Sequence, residues 1–218
     1  MTAELGHYAL VLALVVALVQ CVLPIWGAHR GNPSFIALAP PAALMQCALL
    51  LLSFSCLTAA YVTSDFSIIN VVQNSHSAKP LIYKISGVWG NHEGSLLLWS
   101  LILAVFGAAV AVFGGNLPPA LRARVIGVQG FVGIGFLLFM LLTSNPFLRA
   151  IPAPPDGMGL NPILQDIGLA IHPPMLYLGY VGFSMAFSFA IAALLEGRVD
   201  PAWARWVRPW TLVAWCFL

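Results

Sequence analysis

The chain has 218 residues, 61% of them hydrophobic and 7% charged, with a formal net charge of +2 and a mean hydropathy of +0.94. A soluble domain carries about 25% charged residues, so this composition excludes a surface facing water on all sides. Nine Lys and Arg, scattered without a basic run, exclude a nucleic-acid surface as well. The fold class expected is an all-α polytopic membrane protein.

A bilayer core needs about 20 mostly apolar residues per helix. The first window that meets this runs over roughly 8–28. Glu4 precedes it and no A-x-A cleavage pattern follows, so it reads as a retained span rather than a signal peptide. Further windows cover roughly 41–63, 95–114, 125–144 and 173–195, which makes five complete spans. A sixth apolar run begins near Trp210 and reaches only Leu218, too short to cross. A half-span leaves backbone polar groups unsatisfied in lipid, so the expectation is the front portion of a longer multi-span protein.

The two long connections, about 64–94 and 145–172, fall on the same side of these spans. With the N-terminus outside, the inner side holds Arg30, Arg122, Arg124, Arg198, Arg205 and Arg208. The outer side then holds Lys79, Lys84 and Arg149. That bias fits the positive-inside rule and predicts an outer N-terminus and outer long loops, which in the inner membrane of a bacterium would be periplasmic. Trp203, Trp206 and Trp210 suggest an aromatic belt at the inner interface. Leu160, Ile163, Leu164, Ile167 and Ile171 recur at helical spacing after the Asn161-Pro162 cap pair, and predict a short amphipathic helix on the outer surface from about 161 to 170.

Small residues mark close-packing helix faces: Gly127, Gly130 and Gly133 in the fourth span, and Gly179, Gly182, Ala186, Ala190 and Ala193 in the fifth. Cys21, Cys47, Cys56 and Cys216 sit in apolar stretches without a C-x-x-C pair, the pattern of buried small hydrophobes. Apart from His7 at an outer lip, no span interior holds an ionisable residue, which argues against ion-coupled transport. Neither nucleotide-binding glycine fingerprint occurs, so no nucleotide is expected.

Two segments stand out for chemistry. In Ile171-His172-Pro173-Pro174-Met175, a proline disfavours helix in the residue before it and is tolerated in a first turn. The fifth span would then start at Pro173 with His172 extended at its outer end. Such an imidazole either ligates an incoming metal group such as haem iron or is an interfacial histidine wetted by water. In Trp89-Gly90-Asn91-His92-Glu93-Gly94-Ser95, Asn91 or Ser95 could cap the third span, with Glu93 at the helix's positive end. His92 and Glu93 then form either a proton-handling or orienting pair, or a cap beside the tryptophan anchor Trp89. His29 and His76 read as surface histidines.

Trp89-Gly90-Asn91-His92-Glu93-Gly94-Ser95-Leu96-Leu97-Leu98-Trp99 and His172-Pro173-Pro174-Met175-Leu176-Tyr177-Leu178-Gly179-Tyr180 resemble the CcmF family of the bacterial cytochrome c maturation machinery. Glu4-Leu5-Gly6-His7, Thr143-Ser144-Asn145-Pro146-Phe147, Leu160-Asn161-Pro162-Ile163-Leu164-Gln165-Asp166 and Arg208-Pro209-Trp210-Thr211-Leu212 fit the same pattern, so the resemblance covers the chain end to end. It implies a haem lyase that receives haem b as substrate from the chaperone CcmE. The lyase joins it to apocytochrome c through thioethers, with CcmH and CcmI as partners presenting the apocytochrome. It implies that His172 is a haem axial ligand, the first of two periplasmic histidines; His92, Glu93 and Trp89, from the local pattern, are the candidate supporting residues. The family's tryptophan-rich segment and remaining histidines would follow Leu218, so this portion alone is expected to be inactive. A paralogue serving nitrite-reductase assembly shares the pattern, and a scaffold and docking role within the complex is the other reading.

Overall fold

The structure, a computed structural model, describes residues 1–199 and 201–218. Helix α1 (Thr2–Arg30) ends at Gly31, which takes a left-handed φ of 65°. Asn32 caps the short α2 (Pro33–Ile36) by accepting from the Ser34 and Phe35 amides at 3.0 and 3.4 Å. Helix α3 (Ala39–Val62) follows. The first long loop folds into α4 (Ile69–Asn74) and α5 (Leu81–Gly87) before α6 (His92–Phe113). Pro119 opens α7 (Pro119–Thr143). After the second long loop come α8 (Ile167–Gly182), α9 (Ser184–Glu196) and α10 (Pro201–Cys216). Phe183 links α8 to α9 in right-handed helical geometry.

Five helical stretches are long and apolar enough to span a membrane: Thr2–Arg30, Pro33–Val62, His92–Asn116, Pro119–Thr143 and Ile167–Glu196. These are the five predicted windows, each extended at one or both ends. The protein is a multi-pass, all-α membrane protein.

Three sequence expectations change. No single surface helix fills 161–170: a 3-10 turn, Pro162–Leu164, capped by Asn161 as anticipated, is followed from Ile167 by the start of α8. Helix α8 begins at Ile167 because Asp166 accepts from the Gly168 and Leu169 amides at 2.8 and 3.2 Å, a standard N-cap. His172 is therefore helical rather than extended, and Pro173 and Pro174 lie inside the helix. The final helix also starts at Pro201, well before Trp210. Its Trp203, Trp206 and Trp210 are half-buried against the core that includes α6, α7 and α9, and the Trp203 indole donates to the Phe189 carbonyl at 3.0 Å.

The helices pack where the small residues are. A Cβ at Gly130 would meet the Cys21 amide nitrogen at 3.0 Å and the Ala17 carbonyl at 3.1 Å, so α7 lies directly against α1. Gly179 and Gly182 bring α8 equally close to Leu218 and Ala214 of the α10 segment. Glutamines, which no motif distinguished, occupy the interior. Gln20, Gln46 and Gln129, with Ser100, line a cavity of about 10 Å³ among α1, α3, α6 and α7. Gln20 donates to the Ile126 carbonyl, and Gln129 donates to Ser184 and Ser188. The Oε1 atoms of Gln20 and Gln46 have no protein partner.

At one end of the bundle the N-terminus and both long loops form a single layer. Arg149 pairs with Glu4 and bonds Ser67. The Ile69 amide donates to Leu148 O, and that of Ala150 to Ser67 O. Farther along, the Met158 and Gly159 amides donate to Val72 O and Ser75 O. A Cβ at Gly157 would fall 2.1 Å from Ser75 O, so only glycine allows that approach. At the other end Arg124, 8% exposed, lies within α7, pairs with Glu196 at 3.2 Å and donates to Ala28 O at 3.1 Å.

Candidate functional site

Beneath the looped end, Trp89, His92, Ser95, Leu160, Leu169 and Tyr177 contribute to the wall of an open cleft of about 340 Å³ between the start of α6 and the start of α8. That volume is at the lower end for small-molecule sites, about 300–1,000 Å³. The wall is largely apolar, with a few hydroxyls and one imidazole.

The α6 side is held by a hydrogen-bonded network. Asn91 is the cap, accepting from the Gly94 amide at 2.8 Å. Its amide nitrogen donates to Gly87 O, Val88 O and the Tyr61 hydroxyl. Tyr61 donates to Asn70 Oδ1 at 2.6 Å, and Asn70 Nδ2 donates to Asn91 Oδ1 and Glu93 Oε2. Gly94 is required here: a Cβ would stand 1.7 Å from Val88 O. Beside this network buried Lys79 donates to Asn74 O at 2.9 Å. Burial, with the Lys84 charge nearby, pushes its amine down to about 8.

Of the four sequence-derived site residues, two line the cleft and two lie outside it. Trp89 and His92 line the cleft. His92 is exposed, with Nε2 3.0 Å from Ser144 Oγ and its ring edge-on to Phe139. Glu93 turns to Asn70 instead, so His92 and Glu93 serve separate partners, as adjacent helical residues do. Trp89 stacks on Phe54 with centroids 6.5 Å apart and donates its indole N–H to the Ala170 carbonyl at 3.0 Å.

His172 lies on the exposed surface of α8, about a quarter-turn round the helix from the cleft-lining Pro173. Among the described residues no hydrogen bond or ion pair engages its ring, which leaves both nitrogens open to an incoming partner. Lower on α8, Tyr177 shares a 2.7 Å hydrogen bond with Ser95 and meets Trp99 edge-on at 5.3 Å. Asn70, Tyr61 and Tyr177 escaped the sequence reading. Only the pairing of polar with aromatic residues inside otherwise apolar or loop segments hinted at them.

Residues 89–218, which contain this cleft and His172, match the family model described as cytochrome C assembly protein. The chain belongs to the cytochrome c assembly family. Cytochrome c-type biogenesis protein CycK of Rhizobium meliloti is 66% identical over 218 residues. Cytochrome c-type biogenesis protein CcmF of Pseudomonas aeruginosa is 60% identical over 219 residues. Each match covers 100% of this chain and 32% or 33% of the relative. A solved structure, Cytochrome c Heme Lyase CcmF, superposes with a TM-score of 0.86 at 27% identity, over 100% of this chain and 34% of that one. The chain thus spans about a third of the length of the cytochrome c assembly proteins it matches, and the resemblance to CcmF read from its motifs holds. The matched family segment opens at Trp89, so every cleft-lining residue but Ser86 belongs to it.

Proposed function

We propose that this chain is the haem-receiving part of a cytochrome c haem lyase, with His172 supplying one axial ligand to the substrate haem at the periplasmic end of the bundle. The observation that carries this reading is the state of His172: exposed, unengaged in hydrogen bonding, and mounted on a membrane-anchored helix. A neutral imidazole so placed suits iron. The apolar cleft one face away, walled by Leu160, Leu169 and Trp89, suits the edge of a porphyrin.

Haem supplies the vinyl carbons, across which two cysteine S–H groups of apocytochrome c add to give thioethers. The contribution of this chain is placement. Near-attack geometry is worth about 7–11 kcal/mol, and a ligand on a rigid helix supplies part of it. In this reading CcmE delivers haem, and CcmH and CcmI bring the apocytochrome. The end bearing the N-terminus and both long loops faces the periplasm of a bacterial inner membrane, consistent with the arginines near the opposite end.

The test is His172→Ala in the full-length protein, with haem content read by absorbance and mature cytochrome c by yield. Both are expected to fall at least tenfold. Wild-type haem occupancy and yield would remove His172 from the site. Partner co-purification without haem, in the unmutated protein, would favour the scaffold and docking role.

A further inference from the structure

We infer that Trp89 is a positioning residue for His172: its indole N–H replaces the main-chain donor that Pro174 removes from α8. The inference rests on His172 meeting the haem iron, as proposed above, but its structural half can be tested without haem.

In an α-helix the amides of residues 173 and 174 would donate to the carbonyls of Leu169 and Ala170. Both residues are proline and have no N–H. The turn bearing His172 therefore loses two consecutive bonds of its own ladder just where the helix begins. Ala170 is 4% exposed, so water has little access to the orphaned carbonyl. Trp89 Nε1 donates to that oxygen at 3.0 Å.

The donor is itself fixed. Its ring stacks on Phe54 of α3, and two residues later Asn91 is bound to Gly87, Val88, Tyr61 and Asn70. Among the described residues, this is the hydrogen bond that ties the backbone of residues 167–172 to another part of the fold. With no hydrogen bond on the His172 ring, its direction is inherited from that backbone. The indole thus couples the Asn91 cap of α6 to the aim of the imidazole.

The test uses the full-length protein with Trp89→Phe, which keeps an aromatic ring and deletes the N–H. Without haem, amide exchange over residues 167–172 is expected to quicken about tenfold, corresponding to about 1.4 kcal/mol. With haem, retention falls and the low-spin absorbance or resonance signature of the axial ligand shifts. Pro174→Ala returns a main-chain donor to Ala170, so in that background Trp89→Phe should have little effect on either readout. If Trp89→Phe does not accumulate, benzothienylalanine at position 89, which keeps the bicyclic shape without the N–H, takes its place.

Unchanged exchange in a folded variant, or an undiminished effect in the Pro174→Ala background, overturns the inference. So does normal haem retention with an unshifted signature in Trp89→Phe when His172→Ala loses haem. Retention of haem by His172→Ala would instead overturn the ligand reading, and the exchange data would still decide whether Trp89 orders the α8 start.

Discussion

Asp156 shows how single residues knit the outer layer. Its carboxylate accepts from the Ser77 hydroxyl and from the Ser77 amide at 2.9 Å, across 79 residues of chain, with His76 Nε2 3.6 Å away. The Ser77 side-chain bond, then the backbone bonds, hold its carboxyl down at about 2. A carboxyl lowered on folding contributes stability that is present above its unfolded value, near 4, and is lost as pH falls through 2. Amide exchange at Ser77 is therefore expected to stay slow down to about pH 4 and to quicken between 4 and 2. Asp156→Asn should exchange faster at neutral pH and lose that acid step. The Ser77–Asp156 clamp was not legible in the sequence, where each residue sits in a polar loop with nothing to mark the other.

At the scale of the element, α8 tests the proline rule. The expectation that His172 lies outside the helix followed from the residue before a proline avoiding helical geometry. That preference is statistical, and it yields when capping and an external donor offset the lost bonds. Asp166 supplies the first, and Trp89 the second. Asp166→Ala is predicted to cost about 1 kcal/mol, concentrated at the helix start. Exchange over residues 167–172 would show it while α9 remains protected. Uniform loss across the bundle would refute the local assignment. The Asn161-Pro162 pair was read correctly as a cap and first turn, but the helix it should have opened stops after Leu164. Asp166, two residues beyond Leu164, caps the longer helix.

Across the whole molecule, apolar packing and a few buried polar groups do different things. Gly127 and Gly130 let α7 approach α1; their spacing marks a close-packing face, and only the structure supplies α1 as its partner. The glutamines were not legible as a cluster, since they lie on separate helices and carry no charge. Gln129 donates to both Ser184 and Ser188, so Gln129→Leu should cost about 1–3 kcal/mol by deleting both bonds, with Ser188 keeping its bond to the Ser184 carbonyl. Gln46 has an Oε1 without a protein partner beside a cavity with room for about one water. Gln46→Leu should therefore change stability by less than about 1 kcal/mol. Thermal unfolding in detergent, compared between the two variants, checks the asymmetry, and equal losses would contradict it.

What the linear chain determined by itself was the environment, the number of spans and the kinship. A span is a local demand: about 20 apolar residues whose backbone bonds close within one helix, so it can be read window by window. The motifs that carry the resemblance are likewise contiguous. Tertiary structure alone decided which partners the polar groups took. Trp89 reaches a carbonyl 81 residues away, His92 turns to Ser144 while Glu93 turns to Asn70, and two separate loops join into one layer. Hydrogen-bond partners at such separations are selected by how helices pack, and the local pattern of residues contains no record of that choice.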